Sequence, residues 1–393
     1  MTVAAVICEY NPFHNGHKYQ LDAIRKKLHA DYIICLMSGD FVERGEPAIY
    51  SKEIRARMAL ENGADLCLLL PLPYATGSAD LFAYGAVTLL NKLNVVDFLC
   101  FGSECGDIDA LCHCAGKLLD EGQVTAEPIK ALMKKGNTFA RSRQLLFPEY
   151  DDLLSHSNNV LALEYIMALK RAGSSIKPCT IRREGEDYDD DSYIKSNEFL
   201  SATAIRNAIF SNEREIISSY VPYDLNEVNR EPVFLNCFSD ELFYSLLLNK
   251  DCLSAFLESS EDLANRILNS LSGFKNATSF IDLLKTKNLT YSRVSRAMLH
   301  ILLNIRGDNT AYKEAANSIS HLKVLGFKKE SSVLFPLIAE KSDIDLITSV
   351  PQAFKGFNDI TKKMFDAELF ASTLYNQKAQ IRIHEYQKQV IVI

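Results

Sequence analysis

Five short, uninterrupted apolar runs in the N-terminal half constrain the fold of this chain most strongly. Stretches with helical periodicity separate the runs. A strand that is apolar on both faces is typical of a parallel sheet covered by helices on both sides. We therefore predict an α/β fold with a parallel five-stranded sheet. The predicted strands are residues 2–9, 31–37, 65–72, 95–104 and 175–183.

The segments with helical periodicity fall into an N-terminal group, between the predicted strands, and a C-terminal group. In the N-terminal group, predicted helices cover residues 16–29, 51–63, 78–93 and about 107–172. From residue 213 onward, segments such as ELFYSLLLNK and RVSRAMLHILLNI have a helical period and predict a mainly α-helical C-terminal domain. The tail QIRIHEYQKQVIVI is compatible with one more strand. The predicted domains are residues 1–212 and 213–393.

Composition places the chain among cytoplasmic globular proteins. The ten cysteines follow no framework spacing, and several lie inside apolar runs, which indicates reduced, buried thiols. No apolar run approaches the roughly 20 residues of a membrane span. The N-terminus has no basic leader, and no segment indicates an obligate protein partner. We therefore expect a cytoplasmic protein without a membrane anchor.

The first predicted strand runs into NPFHNGH, which carries His14, Gly16 and His17. A zinc site needs three or four ligands, and the CHC of residues 112–114 lies in an apparent helix with apolar neighbours. We therefore predict no metal bound by protein side chains. Ordinary turn residues remain one interpretation, because Pro12 and Gly16 suit a turn. An anion site is the favoured one, because a helix N-terminus attracts anions and glycine lets them approach the backbone.

A second segment, LSATAIRNAI, places Ser201, Thr203 and Arg206 at the start of another predicted helix. Alone, it is better explained by an N-cap and a solvent-exposed arginine than by phosphate contact. Together, HxGH after the first strand and this later motif resemble the nucleotidyltransferase superfamily. The resemblance implies a Rossmann-like nucleotidyltransferase domain whose turn binds ATP and whose reaction releases pyrophosphate. The catalytic residues it implies are His14, His17, Ser201, Thr203 and Arg206.

Longer segments narrow the resemblance to one family. They are EYNPFHNGH, MSGDFVERGEPA, SKEIRARMAL, FGSE, SNNVLALEY and SATAIR, with weaker similarity at KTKNLTYSRVSRAMLHILL and LGFKKE. Together they resemble bacterial tRNA(Met) cytidine acetate ligases. The resemblance implies that ATP, with Mg²⁺, activates acetate as acetyl-adenylate. It further implies acetylation of N4 of the wobble cytidine of elongator tRNA(Met).

The family's ATP site, carried over by position, falls on one continuous segment and three later residues. It comprises Ile7, Cys8, Glu9, Tyr10, Asn11, Pro12, Phe13, His14, Asn15, Gly16, His17, Lys18, Tyr19, Gln20, Gly102, Asn158 and Arg183. Asn159 and Arg182 stay open as alternatives to the adjacent Asn158 and Arg183. Two departures add negative charge: Glu43 replaces the glutamine of FxQRGEPA, and Tyr188-Asp189-Asp190 replaces Tyr-His-Asp.

A chain with a net charge of −7 needs a concentrated basic surface to bind RNA. Solvated helix surface is the competing interpretation of each basic residue. The predicted tRNA contacts are Arg44, Lys52, Lys285, Lys287, Arg293 and Arg296. A small-molecule nucleotidyltransferase with a regulatory helical domain stays open as an alternative function. So does a non-catalytic RNA-binding protein that retains ATP, although the intact histidines argue against it.

Overall fold

The computed structural model describes residues 1–183, 199–225, 228 and 231–393. The departure at Tyr188, Asp189 and Asp190 lies outside the described residues. The strands are β1 (Val3–Cys8), β2 (Tyr32–Ser38), β3 (Phe41–Val42), β4 (Glu46–Pro47), β5 (Leu66–Leu70), β6 (Phe98–Ser103), β7 (Lys177–Arg182), β8 (His321–Phe327), β9 (Asp345–Ile347) and β10 (Ile391–Val392).

The predicted five-stranded parallel sheet is confirmed. Strands β5, β2, β1, β6 and β7 lie in that order, and every neighbouring pair among them is parallel. Alternate residues of β1 enter opposite cores: Val3, Ala5 and Ile7 pack on one face, whereas Ala4 and Val6 pack on the other. Both faces of the strand are therefore buried, which explains why its sequence is continuously apolar.

Helices cover both faces of the sheet and form most of the C-terminal region. They are α1 (Asn15–Leu28), α2 (Lys52–Glu61), α3 (Leu72–Ala75), α4 (Ala79–Leu93), α5 (Ile108–Asp120), α6 (Gly122–Lys134), α7 (Phe139–Leu146), α8 (Asp151–Ser155), α9 (Ser157–Arg171), α10 (Ala202–Phe210), α11 (Arg214–Ile217), α12 (Ser239–Leu248), α13 (Glu261–Ser270), α14 (Ala277–Leu284), α15 (Tyr291–Leu302), α16 (Asn309–Ala316), α17 (Leu334–Lys341), α18 (Val350–Ala353) and α19 (Asp359–Lys378). The predicted stretch 107–172 is divided into α5 to α9. Gly136 in the left-handed region follows α6, and Pro148, which has no N–H to donate, follows α7.

The C-terminal region adds three strands to the N-terminal sheet, which the sequence did not predict beyond the tail. β8 pairs antiparallel with β5, and β9 and β10 pair parallel with β8. Strand β8 covers an edge of β5 that would otherwise present unpaired backbone groups. The division at residues 212 and 213 stays a prediction, and the sheet continues across it. Among the described residues, no helix combines the length and apolarity needed to cross a bilayer.

Candidate active site

The HxGH turn is a helix N-terminus capped by two imidazole rings. His14 is the N-cap of α1, and its Nδ1 accepts a hydrogen bond from the Gly16 N–H at 3.0 Å. His17 Nδ1 in turn accepts from the His14 N–H at 3.3 Å. The two rings stack with their centroids 3.7 Å apart. This reciprocal capping satisfies two N–H groups at the start of the helix and fixes both rings.

The hydrogen bonds determine where each histidine carries its proton. Because both Nδ1 atoms accept, a neutral ring holds its proton on Nε2 and can donate from there. Burial, together with the nearby Arg183 and Arg206, lowers the pKa of His14 to about 3. Burial also lowers the pKa of His17 well below its usual value, and His14 and Arg183 add to the effect. The turn therefore presents two neutral N–H donors rather than two imidazolium cations.

The SATAIR segment meets this turn in space. Ser201 is the N-cap of α10 and accepts from the Ala204 N–H at 3.1 Å, which confirms the predicted capping. Arg206 Nη1 donates to the Asn11 carbonyl oxygen at 2.8 Å, and Nη2 donates to Thr203 Oγ1 at 3.3 Å. Arg206 therefore ties the later motif to the loop before His14, although 195 residues separate the partners.

Two adjoining cavities, together called the turn cavity, lie where β1, β6 and β7 end. Both are lined by His14, His17, Gln20, Gly102 and Arg183. One is also lined by Gly16, Tyr19, Ile181, Arg182, Phe199, Leu200 and Ser201. The other is also lined by Ile7, Cys8, Glu9, Tyr10, Asn11, Glu43, Arg44, Phe82, Phe101, Asn158, Leu161, Tyr165, Ala202 and Arg206. This edge of a parallel sheet is where such folds bind ligands.

Most residues predicted for the ATP site line the turn cavity, and a few do not. Those absent from its lining are Pro12, Phe13, Asn15 and Lys18, and the predicted catalytic residue Thr203 is also absent. Phe13 is fully buried, with its ring against Tyr10 and His17, so it supports the turn from beneath. One wall of the cavity is apolar and was not predicted from the sequence; it is made by Phe82, Phe101, Leu161 and Tyr165. Nothing in their local pattern distinguishes these residues from ordinary core.

Glycine leaves room for a neighbouring donor at two positions of the cavity wall. A Cβ on Gly102 would lie 3.2 Å from Cγ of Arg183, so the arginine would have to shift by a few tenths of an ångström. A Cβ on Gly16 would lie 2.9 Å from Cε1 of His14 and would displace the capping ring. Both glycines therefore set the positions of donors that face the cavity.

The structure distinguishes the paired alternatives. Asn158 lines the cavity, whereas Asn159 is buried with Oδ1 accepting from the N–H groups of Glu104 and Cys105. Arg183 lines both cavities, whereas Arg182 lines one. The geometry favours Asn158 and Arg183, and their contact with a nucleotide stays a prediction.

Comparisons with known proteins agree along the whole chain. The HIGH Nucleotidyl Transferase family model matches residues 1–389. A tRNA(Met) cytidine acetate ligase of Thermoanaerobacter sp. (strain X514) is 40% identical over 388 residues, which cover 95% of each chain. One from Clostridium perfringens is 36% identical over 368 residues, covering 90% of this chain and 91% of that one.

The chain belongs to the tRNA(Met) cytidine acetate ligase family.

Solved structures show the same fold. Thermotoga maritima TmcAL bound with alpha-thio ATP has a TM-score of 0.90 and 30% sequence identity, with all of both chains covered. Its apo form has a TM-score of 0.91 at the same identity and coverage. The five parallel strands and the helical C-terminal region of this tRNA(Met) cytidine acetate ligase family member therefore follow a fold already seen with a nucleotide analogue.

Glu43, the first of the two departures inferred from the sequence, lines the turn cavity. Its N–H donates to Glu9 Oε1 at 2.8 Å, and its own Oε1 accepts from Arg296 Nη1 at 3.1 Å. Burial, with the neighbouring Glu43 and Glu46, raises the pKa of Glu9 to about 7. Glu9 therefore changes charge near neutral pH inside the cavity.

A pH-dependent affinity for ATP is expected from Glu9. As pH rises from 6 to 8, this carboxyl loses its proton and its charge repels the triphosphate. The affinity of the wild type for ATP should fall roughly fivefold more than that of Glu9→Gln over this range. Titration calorimetry at several pH values measures it, with the exposed Glu61→Gln as a matched control. Parallel profiles for wild type and Glu9→Gln would contradict the expectation.

The predicted tRNA contacts do not form one basic surface. The prediction for Lys52 is wrong, because its ammonium is fully buried and pairs with Asp40 at 2.6 Å. Arg296 is largely buried between Glu43 and Glu258. Lys285 is exposed, with its ammonium 2.7 Å from Asp282. The remaining predictions divide by position: Arg44 lines the turn cavity, Arg293 lines a second cavity, and Lys287 is exposed.

Proposed function

We propose that this protein is an ATP-dependent acetate ligase that forms acetyl-adenylate and then acetylates N4 of the wobble cytidine of elongator tRNA(Met). The observation that carries the proposal is the meeting of the HxGH turn, Arg183 and Arg206 at one cavity. The ligases that match nearly the full length of the chain support it, as does the TmcAL structure bound with alpha-thio ATP.

In the first half-reaction, an acetate oxygen attacks the α-phosphorus of ATP and pyrophosphate leaves. Negative charge grows on the phosphate oxygens, so fixed donors at this point stabilise the transition state. We assign that role to Nε2–H of His14 and His17. The guanidinium groups of Arg183 and Arg206 and the N-terminus of α1 supply positive potential. Because both imidazole rings and the Arg206 guanidinium are already held by hydrogen bonds, little reorganisation of these groups is needed when the charge develops.

In the second half-reaction, N4 of cytidine attacks the acetyl carbon of acetyl-adenylate. The new C–N bond replaces the bond from the acetyl carbon to the phosphate oxygen, AMP leaves, and N4 loses a proton. An aromatic amine is a weak nucleophile, which is why a reactive mixed anhydride is required. No covalent enzyme intermediate is needed, so the buried thiols of the sheet have no role in the reaction.

Mg²⁺ would accompany ATP in this proposal, with phosphate oxygens as its ligands. Among residues 1–183, 199–225, 228 and 231–393, no group of three or more His, Cys, Asp and Glu side chains could hold a metal ion. Mg²⁺ commonly keeps several waters and binds through substrate phosphates, so a complete set of protein ligands is not required. The proposal also places the protein in the cytoplasm, where ATP, acetate and tRNA meet.

Transfer of labelled acetate to tRNA tests the proposal. The protein is incubated with [¹⁴C]acetate, ATP, Mg²⁺ and unmodified elongator tRNA(Met), and label in the tRNA is counted. We expect ATP-dependent label that digestion to nucleosides assigns to N4-acetylcytidine. A tRNA whose wobble cytidine is replaced by uridine is the matched control and should stay unlabelled. Folded protein that leaves the cytidine tRNA unlabelled would refute the function.

A further inference from the structure

The second half-reaction of the proposed function needs a proton acceptor in the turn cavity. When N4 of cytidine attacks the acetyl carbon, the nitrogen becomes acidic and must give up a proton as the amide forms. A positioned general base commonly contributes about 10²–10⁴-fold to the rate of such a step. The residue required lines the cavity, has a lone pair that no neighbour occupies, and titrates near neutral pH.

Most titratable groups of the turn cavity cannot accept this proton. His14 and His17 use Nδ1 to accept backbone N–H groups, so the Nε2 atom that remains on each ring already carries a proton. Burial raises the pKa of Tyr10 and Tyr165 well above the usual value, so both hydroxyls stay protonated near neutral pH. Burial likewise raises the pKa of the Cys8 thiol well above its usual value.

Two carboxyl groups occur among the described residues that line the cavity, and different contacts hold them. Glu43 Oε1 lies 3.1 Å from Arg296 Nη1, so this carboxylate is committed to an ion pair. Glu9 uses Oε1 to accept the Glu43 N–H at 2.8 Å. Within the described part of the chain, Glu9 Oε2 has no hydrogen-bond partner, and it is not among the polar atoms sealed from solvent. The half-buried Glu9 is therefore positioned by one oxygen and leaves the other open.

Glu9 lies on the side of the turn cavity that has room for the acetyl group. The larger of the two adjoining cavities, about 190 Å³ against about 50 Å³, is the one that Glu9 lines. Both are lined by His14 and His17, which the proposed mechanism places at the α-phosphate. The apolar wall belongs to the same larger cavity, and it limits the access of water to a mixed anhydride held there.

We propose that Glu9 is the general base of acetyl transfer, and that its Oε2 takes the proton that N4 of the target cytidine loses. The inference rests on the proposed function and adds a catalytic residue to its second half-reaction. The bond from N4 to the acetyl carbon forms, and the bond from that carbon to the phosphate oxygen breaks. AMP leaves with the electron pair of that bond, the N4 proton moves to Glu9, and Glu9 then releases it to solvent.

The groups around Glu9 suit a base that works near neutral pH. The charged and titratable groups that face it are Glu43, Arg44 and Glu46 of the β3–β4 hairpin, Arg55 of α2, Tyr165 of α9, Arg183 after β7, Arg206 of α10 and the two histidines of the HxGH turn. Burial and the two neighbouring glutamates outweigh Arg44 and raise the pKa of Glu9 to about 7. The triphosphate of bound ATP favours the protonated carboxyl, so the departure of pyrophosphate favours the carboxylate that the transfer needs.

Transfer from synthetic acetyl-adenylate isolates the step in which Glu9 acts. Excess protein is mixed with acetyl-adenylate and unmodified elongator tRNA(Met), and N4-acetylcytidine is followed over time between about pH 5.5 and 8.5. The wild-type rate should rise about tenfold per pH unit below pH 7 and level off above it, because the base must be deprotonated. Glu9→Gln keeps an oxygen that can accept the Glu43 N–H but cannot take a proton. Its transfer rate at pH 8 should be lower by about 10²–10³-fold and should not rise with pH.

A trapping reaction separates a catalytic role from a structural one. Hydroxylamine converts acetyl-adenylate into acetohydroxamate without a base from the protein, so hydroxamate made from ATP and acetate reports the first half-reaction alone. Glu9→Gln should form hydroxamate within about fivefold of the wild-type rate at saturating ATP, because only a charge near the phosphates has changed. The exposed Glu61→Gln is the matched control and should resemble wild type in both reactions.

Two results would overturn the inference. One is an equal loss of hydroxamate and of tRNA acetylation in Glu9→Gln, which would make Glu9 a structural residue of the cavity. The other needs no variant: a wild-type transfer rate that is independent of pH between about 6 and 8. Folded wild type that forms hydroxamate but leaves tRNA(Met) unlabelled would instead refute the proposed function.

Discussion

His17→Ala is expected to lower acetate-dependent exchange of pyrophosphate into ATP by about 10²–10³-fold, with tRNA affinity little changed. The substitution removes an Nε2–H donor at the turn cavity and leaves the His14 N–H without its acceptor. The donor acts on charge that develops at the α-phosphate of ATP, so its loss affects the first chemical step more than the binding of tRNA. Radioactive exchange measures the first quantity, and filter binding of tRNA(Met) measures the second.

A matched histidine controls for general effects of the substitution. His113 is exposed on α5, with its ring 6.1 Å from Tyr150, and is absent from the turn cavity. His113→Ala should keep the wild-type exchange rate. Circular dichroism shows whether His17→Ala is folded. Equal losses of exchange and tRNA affinity in a folded His17→Ala protein would argue that the histidine is structural.

Lys52→Met is expected to reduce the free energy of unfolding by about 3–5 kcal/mol, because it leaves the buried Asp40 carboxylate without its direct ion-pair partner. The Lys52 ammonium lies 2.6 Å from Asp40, 3.2 Å from Glu385 and 3.8 Å from Glu368. It also donates to Ser372 Oγ at 2.6 Å. Urea unfolding followed by circular dichroism measures the loss. This buried cluster therefore joins the loop after β2 to α19 and the C-terminal tail.

The exposed Arg57 on the same helix provides the control, since it pairs with Glu61 at the surface. Arg57→Met should change the free energy of unfolding by less than about 0.5 kcal/mol. The double variant Lys52→Met/Asp40→Asn should be more stable than Lys52→Met alone, because one unpaired charge is removed. A Lys52→Met protein as stable as Arg57→Met would contradict the predicted role of the cluster.

The carboxyls of this cluster determine how its contribution varies with pH. Burial opposes the charge of Asp40 and Glu385, yet Lys52 and the neighbouring lysines hold the pKa of both below the usual value. Carboxyls with a depressed pKa stabilise the folded state above the unfolded pKa of about 4, and that stability is lost as pH falls further. Burial raises the pKa of Glu368 to about 7 despite Lys52, so its contribution has the opposite sign and decreases as pH rises from about 4.5 to 7.

The sequence alone was sufficient for the parallel sheet and for the two motifs that meet at the turn cavity. Continuous apolar runs reflect burial of both strand faces, and this burial is a local property of each strand. The HxGH turn and the SATAIR cap are also local, since their backbone–side chain hydrogen bonds span two to three residues. Such features can be read directly from neighbouring residues.

The tertiary structure decided what depends on partners far apart in the chain. Strand β8 pairs with β5, Lys52 is buried beside Glu368 and Glu385, and Arg296 pairs with Glu43. Each of these contacts joins residues more than 200 positions apart. The further ion pair between Arg296 and Glu258 spans a shorter separation. A lysine in an amphipathic helix looks the same in sequence whether it faces solvent or three carboxylates. Only the packing of the C-terminal region against the sheet distinguishes these cases, because burial and charge pairing depend on the whole fold rather than on neighbouring residues.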